Sequence, residues 1–212
     1  MNTNAKNAPV FLHTSVEPMD NNCWLIAVDG QALLIDAANH ADQLLSLAKD
    51  NNVEITDVLT THQHADHTQA LEEVLKATGA RHHAPRLDAD GIPAAADRTY
   101  GQEDGSQEPL DLAGENLQSL GLKAVELRGH TPGGIAVLWL DPEQPQAWVG
   151  DSVFPGGVGK TETSEDFNQL LDDVAERIFT LPNNTELHPG HGNSTTVGEE
   201  KPKVAKWRER GW

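Results

Sequence analysis

Apolar positions along the chain fall into short blocks whose spacing switches between continuous runs and a helical period. Cys23-Trp24-Leu25-Ile26-Ala27-Val28 and Ala32-Leu33-Leu34-Ile35, the latter ending at Asp36, are two such runs separated by Asp29-Gly30. Asp-Gly between apolar runs is the signal of a hairpin turn, so the chain is expected to open with paired strands. Leu44, Leu45, Leu47 and Ala48 then recur at helical spacing, and Ile55 to Thr61 is a β-branched run that ends at a histidine. Leu71, Val74 and Leu75 predict an amphipathic helix that starts just after His67 and is closed by Gly79.

Arg86 to Gly114 is rich in Asp, Ala, Gly and Pro and is expected to be mainly connecting loop. Beyond it, Lys123–Leu127 and Ile135–Leu140 look like strands on either side of His130, and Trp148-Val149-Gly150-Asp151 ends another. Phe167, Leu170, Leu171, Val174 and Ile178 predict a helix over Phe167 to Phe179, and Thr185-Glu186-Leu187-His188 reads as the last short strand. Strands and helices alternate in both halves. That pattern predicts an α/β architecture with sheet between helix layers and function on the loops at the strand ends.

Composition narrows the class. The 212 residues suit one domain over 1–212, with 37% hydrophobic and 23% charged residues and no apolar run long enough to span a membrane. Met1-Asn2-Thr3-Asn4-Ala5-Lys6-Asn7 has no apolar core and does not read as a signal peptide, which makes the cytoplasm the expected location. A formal charge of -18 repels polyanions, so nucleic acid is not expected as a partner. The lone Cys23, beside Trp24, reads as a buried small hydrophobe and not a nucleophile.

The chemistry is concentrated in Thr61-His62-Gln63-His64-Ala65-Asp66-His67, three imidazoles and a carboxylate immediately after an apolar strand. Packing does not ask for such density. Imidazole nitrogens and carboxylate oxygens suit zinc, iron or manganese, and the alternation of His62 and His64 lets two rings point the same way off an extended backbone. Asp66 and His67 can then serve a second ion, with the N-terminal end of the following helix beside Asp66.

That string resembles the His-x-His-x-Asp-His signature of the metallo-β-lactamase superfamily, and further segments follow in the order of that family. Gly129-His130-Thr131-Pro132-Gly133, Gly150-Asp151-Ser152 and Pro189-Gly190-His191-Gly192 are similar to its later metal-binding loops. The resemblance, over roughly Asn22 to Glu200, implies a four-layer αββα sandwich. It implies one metal at His62, His64 and His130, a second at Asp66, His67 and His191, and Asp151 as the bridge. His188 lies three residues before His191 but outside the matching loop, and His13, His40, His82 and His83 lie outside every motif; the last four are expected to be surface or hydrogen-bonded core residues.

Two divalent ions, zinc above iron or manganese, would bring a bridging water towards a pKa of about 7 and make it a nucleophile without any Ser or Cys. Asp66 is the ligand the resemblance nominates to accept or relay its proton. Within the superfamily the chain looks like glyoxalase II, a thioesterase for S-acylated low-molecular-weight thiols. Gly157-Val158-Gly159-Lys160 follows the bridging aspartate as in those enzymes, which nominates Lys160 to meet a carboxylate of the thiol carrier. Thr161 and Glu162 stand where an aromatic residue often follows, and with the chain ending at Trp212 the similarity is to the short bacterial type. The runner-up is a persulfide dioxygenase holding one iron at His62, His130 and Asp151; a non-enzymatic metal-binding scaffold is the third reading.

Overall fold

A computed structural model describes residues 8–211, so Met1-to-Asn7 and Trp212 lie outside the described residues. Its first sheet contains β1 (Val10–Val16), β2 (Asn21–Val28), β3 (Gln31–Ile35), β4 (Glu54–Leu59), β5 (Arg81–Pro85) and β6 (Arg98–Tyr100), in that order. Helices α1 (Ala41–Asp50) and α2 (Leu71–Thr78) connect β3 to β4 and β4 to β5. The second sheet uses β7 (Glu108–Pro109), β8 (Lys123–Glu126), β9 (Ile135–Trp139) and β10 (Gln146–Gly150), after the short α3 (Glu115–Gln118) between β7 and β8. The small hairpin β11 (Val153–Phe154) and β12 (Gly157–Val158) leads into α4 (Ser164–Arg177). Strands β13 (Glu186–Pro189) and β14 (Thr195–Thr196) complete the second sheet, and α5 (Val197–Glu200) and α6 (Val204–Arg210) follow.

Three apolar clusters show the layering. Leu25, Ala27, Ala32 and Leu34 face Leu44, Leu71 and Val74 of the first two helices. Their neighbours Ile26, Val28, Leu33 and Ile35 face the other way, onto Ile135, Val137 and Trp148 of the second sheet. Ala136, Leu138, Ala147 and Val149 in turn face Phe167, Leu170, Leu171 and Val174 of α4 and Trp207 of α6. The order is helix, sheet, sheet, helix. Each central strand is buried on both faces, which is why these strands read as continuous apolar runs and not as alternations.

The predicted hairpin forms, with Asp29 and Gly30 both at positive φ (49° and 80°) between β2 and β3. Gly79 closes α2 at φ 68°, its N–H bonded to Leu75 O at 2.8 Å. Helix α4 starts before Phe167 because Thr163 caps it, its hydroxyl accepting from the Asp166 N–H at 3.1 Å.

One expectation is refined and one is corrected. Arg86 to Gly114 is mainly connecting loop, as expected, but it also carries the short β6 and β7, each an edge strand of its sheet. Strands of three and two residues are too short to show a period. Helix α2 also begins at Leu71 and not just after His67. Ala65–His67 instead form a turn of 3-10 helix, and the N–H groups of Gln69 and Ala70 bond to Ala38 O and Ala37 O at 2.9 and 3.1 Å. Those two bonds tether the histidine loop to the segment after β3 and delay the α-helix by one turn. The helix end therefore does not sit at Asp66, whose Oδ2 is held by Asn21 Nδ2 at 2.8 Å.

The two sheets meet where strand ends converge. Ile135 N–H donates to Thr61 O at 2.9 Å, Gly190 N–H to Gly150 O at 2.9 Å, and Asn22 N–H to Gly190 O at 2.7 Å. The buried Asn22 side chain adds bonds to Pro189 O (2.9 Å) and Gly192 O (2.8 Å), fixing the last loop to β2. Asn22→Ala strands those two carbonyls. It is expected to lower stability by about 1–3 kcal/mol in denaturant unfolding of the metal-free protein, and to speed metal loss from the loaded protein.

Candidate metal centre

All seven nominated residues come together at this junction. His62, His64, Asp66 and His67 lie on the loop after β4, His130 between β8 and β9, Asp151 just after β10, and His191 just after β13. Ligand atoms of His62, His64 and His130 lie within 4.8 Å of one another, as do those of His62, His67 and Asp151, and those of Asp66, His67 and His191. Asp151 stands between the groups, with Oδ2 at 3.6 Å from His130 Nε2 and 3.4 Å from His191 Nε2, and Oδ1 at 3.5 Å from His67 Nε2.

The rings are aimed by their outer nitrogens. His67 Nδ1 donates to Asp36 Oδ2 (2.9 Å), His191 Nδ1 to Met19 O (2.9 Å) and His130 Nδ1 to Lys160 O (2.6 Å). Thr61 Oγ1 donates to Asp36 Oδ2 at 2.8 Å, so it accepts from His62 Nδ1 at 3.0 Å. With an acceptor holding the proton on each Nδ1, Nε2 is the nitrogen that all four rings turn towards the centre. His62 Nε2 lies 3.1 Å from His64 Nδ1, and His67 Nε2 lies 3.1 Å from His191 Nε2. His130 Nε2 and Asp151 Oδ1 are buried without a hydrogen-bond partner among the described residues. Imidazole nitrogens and carboxylate oxygens converging at this spacing, two of them buried without a partner, are what a cation-binding donor set requires, so these residues fit metal ions.

Close packing sets the loop sequences. A Cβ on Gly190 would lie 2.2 Å from Asp151 Oδ1 and 2.6 Å from His67 Cε1, and one on Gly159 would lie 1.8 Å from Asp151 O. Only glycine lets these backbones pass the ligands.

Several positioning residues carried no motif. Asp36, buried at the end of β3, also accepts from the Thr61 N–H at 2.7 Å; an acid ending an apolar strand is its only sequence signal, shared with Asp151. Asp88 is fully buried and takes the Gln63 N–H on Oδ2 (3.0 Å) and the Gly133 N–H on Oδ1 (2.8 Å). It thereby clamps the His62–His64 loop to the His130 loop. Asp88 sits inside the segment read as connecting loop, where nothing marks it.

The remaining histidines are accounted for. His188 is buried, bonded to Gln146 Oε1 (2.6 Å) and Ser194 Oγ (2.8 Å), and belongs to none of the three groups. Burial pushes its pKa down to about 4. His82 bonds Thr60 and Ala95, and His83 bonds Asp57 and Tyr100, while His13 and His40 are exposed. Cys23 is buried, and burial pushes its thiol up to about 12, far from a nucleophile.

A cavity of about 630 Å³ opens beside the centre, lined by His64, His130, Arg128, Lys160, Glu162 and Gln169 among others. Lys160 thus serves twice: its carbonyl orients His130, and its exposed side chain borders the cavity.

The family model described as the metallo-beta-lactamase superfamily matches residues 16–198. The chain belongs to that superfamily. Among curated relatives, it is 34% identical over 165 residues to a hydroxyacylglutathione hydrolase of Polaromonas sp., covering 76% of this chain and 57% of that protein. It is 30% identical over 209 residues to the hydroxyacylglutathione hydrolase GloC of Haemophilus influenzae, covering 88% of this chain and 92% of that protein. Two solved structures overlay well. TTHA1623 in a di-iron-bound form gives a TM-score of 0.69 at 25% identity, over 89% of this chain and 96% of that one. ETHE1 from Myxococcus xanthus gives 0.74 at 26% identity, over 95% and 88%. The superfamily sandwich and the layering described above agree.

Burial disfavours charge on His67, but Asp36 and Asp151 beside it overrule that and lift its pKa to about 10. In the metal-free site the ring nitrogen facing the centre therefore holds a proton at neutral pH. A metal must displace it, so loading at pH 8 is expected to release about one proton from His67 and to tighten as pH rises towards 10. Calorimetric titration in buffers of different ionisation enthalpy reads the release; a buffer-independent heat contradicts it. Asp151→Ala, touching both ligand groups, is expected to remove most bound metal in elemental analysis. His188→Ala is expected to leave it, and the reverse pattern between His188→Ala and His191→Ala would reassign the last ligand.

Proposed function

We propose that the chain is a dinuclear metal-dependent thioesterase of glyoxalase II type that hydrolyses S-acyl derivatives of a low-molecular-weight thiol. The observation that carries this reading is the convergence of His62, His64, Asp66, His67, His130, Asp151 and His191 on one point, beside a cavity bordered by Lys160. The names of the curated relatives support it from outside the structure.

In this reading His62, His64 and His130 hold one ion, Asp66, His67 and His191 the other, and Asp151 touches both. Zinc is the metal proposed first, with iron or manganese as substitutes the same donors accept. When bound, the ions supply an activated water and polarise the thioester carbonyl. The protein's own part is to hold the ligands against rotation through Asp36, Thr61, Met19 O and Lys160 O. Asp66 is proposed as the proton acceptor. It is a quarter exposed, and its Oδ2 meets Asn21 at 2.8 Å, His191 at 3.3 Å and His67 at 3.4 Å, while Oδ1 has no hydrogen-bond partner among the described residues and is the oxygen proposed to take the proton. Lys160, exposed on the cavity wall, meets a carboxylate of the thiol carrier.

The test combines metal content with turnover. Protein purified without added metal is expected to hold about two transition-metal ions per chain and to cleave acyl thioesters. One iron per chain with oxygen consumption dependent on a thiol persulfide would replace the reading with a dioxygenase, and failure to turn over any thioester would remove it. Lys160→Ala is expected to raise KM for carboxylate-bearing thioesters about 10- to 100-fold, with less change in kcat and none in metal content. Equal activity on every such thioester would return Lys160 to the role of a solvated surface charge.

A further inference from the structure

We propose that Arg128 is a second anion-recognising residue of the cavity, and that it selects a thiol carrier bearing a further carboxylate beyond the one met by Lys160. The proposal rests on the thioesterase reading for the reaction but on separate residues for the recognition.

Asp173 of α4, almost fully buried, takes three donors from this one residue: the Arg128 N–H, Nε and Nη2, each at 2.9 Å. A guanidinium has two edges that can each grip a carboxylate. The pair with Asp173 occupies the Nε–Nη2 edge. The other edge, Nη1 with the outer N–H of Nη2, makes no hydrogen bond among the described residues, although the side chain is 26% exposed and borders the cavity. A planar two-donor fork is thus held in a fixed orientation before any ligand arrives, and a ligand using it bears little of the usual cost of ordering a long side chain.

The carboxylates near that fork are shared with other guanidiniums. Asp173 is shared, since Arg177 Nη2 reaches it at 3.0 Å and Gln169 Nε2 also bonds it at 3.0 Å. Glu126, fully buried with neither oxygen hydrogen-bonded, stands 3.7 Å from Arg128 Nε and 3.8 Å from Arg86 Nη2. Three guanidiniums therefore surround two buried carboxylates, and Arg86 also meets the exposed Glu103 at 3.6 Å. Of the acids that border the cavity, Asp166 is tied to the Thr163 hydroxyl at 2.7 Å within the cap of α4, and Glu162 is exposed.

Both cations are tied to the same metal-facing ring. Arg128 precedes His130 by two residues, and Lys160 accepts the His130 Nδ1 hydrogen bond on its carbonyl. A substrate that places its reacting carbonyl near His130 is therefore offered two positive groups, of which Arg128 is held in place by Asp173.

The experiment compares one acyl group on two carriers, N-acetylcysteamine without a carboxylate and glutathione with two. For Arg128→Gln, kcat/KM on the glutathione thioester is expected to fall at least about tenfold relative to that on the neutral thioester, through KM. Should this variant fail to fold because Asp173 loses its partner, Arg128→Lys carries the same test. It keeps a charge against Asp173, loses the second edge, and is expected to shift the same ratio several-fold. An unchanged ratio overturns the proposal, whether both activities fall together or neither does. Calorimetric binding of S-methylglutathione, which cannot be hydrolysed, separates the two readings. If the parent cleaves no thioester but binds S-methylglutathione more tightly than Arg128→Gln does, the anion site stands and the thioesterase reading falls. Equal or absent binding overturns the site.

Discussion

The arrangement of the metal-facing groups depends on one buried carboxylate. Asp36 accepts from His67 Nδ1, from the Thr61 N–H and from the Thr61 hydroxyl, and Thr61 in turn accepts from His62 Nδ1. One acid at the end of β3 therefore sets the tautomer and tilt of a ring in each of the two proposed ligand sets. A carboxylate can do this only where water does not compete for its oxygens, and Asp36 is 1% exposed. The apolar layers on both sides of the first sheet are thus a condition for the polar geometry at its end, because they keep that hydrogen-bond network dry.

A second constraint is that the donors come from both sheets, which must be held at a fixed offset. Backbone bonds from Ile135 to Thr61 and from Asn22 to Gly190 join the sheets directly. Asp88 and the Asn22 side chain clamp loops on either side of the centre. The clamps use backbone N–H and C=O groups as partners. Loop position is thereby specified independently of the ligand side chains, and the centre is preorganised before any ion enters.

Cations gather beside the centre despite the global balance. The chain carries -18 overall, yet the cavity next to the centre is bordered by Arg128 and Lys160, with Arg86 and Arg177 behind. Glu162 and Asp166 border the same cavity, so its charges are mixed, and what sets Arg128 apart is the fixed orientation given by its buried partner Asp173. Within the centre the same physics works through single groups. Burial alone would raise the Asp151 pKa, but His191 and His67 hold it well below the usual carboxylate range. An ionised carboxylate is thus kept between the two groups of ring nitrogens.

What the sequence determined by itself was whatever depends on local order. Blocks such as Leu25–Val28 and Leu33–Ile35 marked the central strands, because burial on both faces leaves a continuous apolar run. Asp29-Gly30 and Gly79 marked a turn and a helix end through their backbone conformations. The cluster from His62 to His67 is dense enough to announce metal chemistry, and the ordered loops at His130, Asp151 and His191 made the family legible. Edge strands β6 and β7 were not legible, because three- and two-residue strands exist only through their partners. Only the tertiary structure decided that Asp36, Asn21, Asn22 and Asp88 serve the centre, that His188 is a core residue, and which edge of Arg128 Asp173 takes. The reason is common to all of these. A polar side chain takes its role from the partner it meets, and His67 meets His191 across 124 residues and Asn22 meets Gly192 across 170, separations at which no local pattern survives.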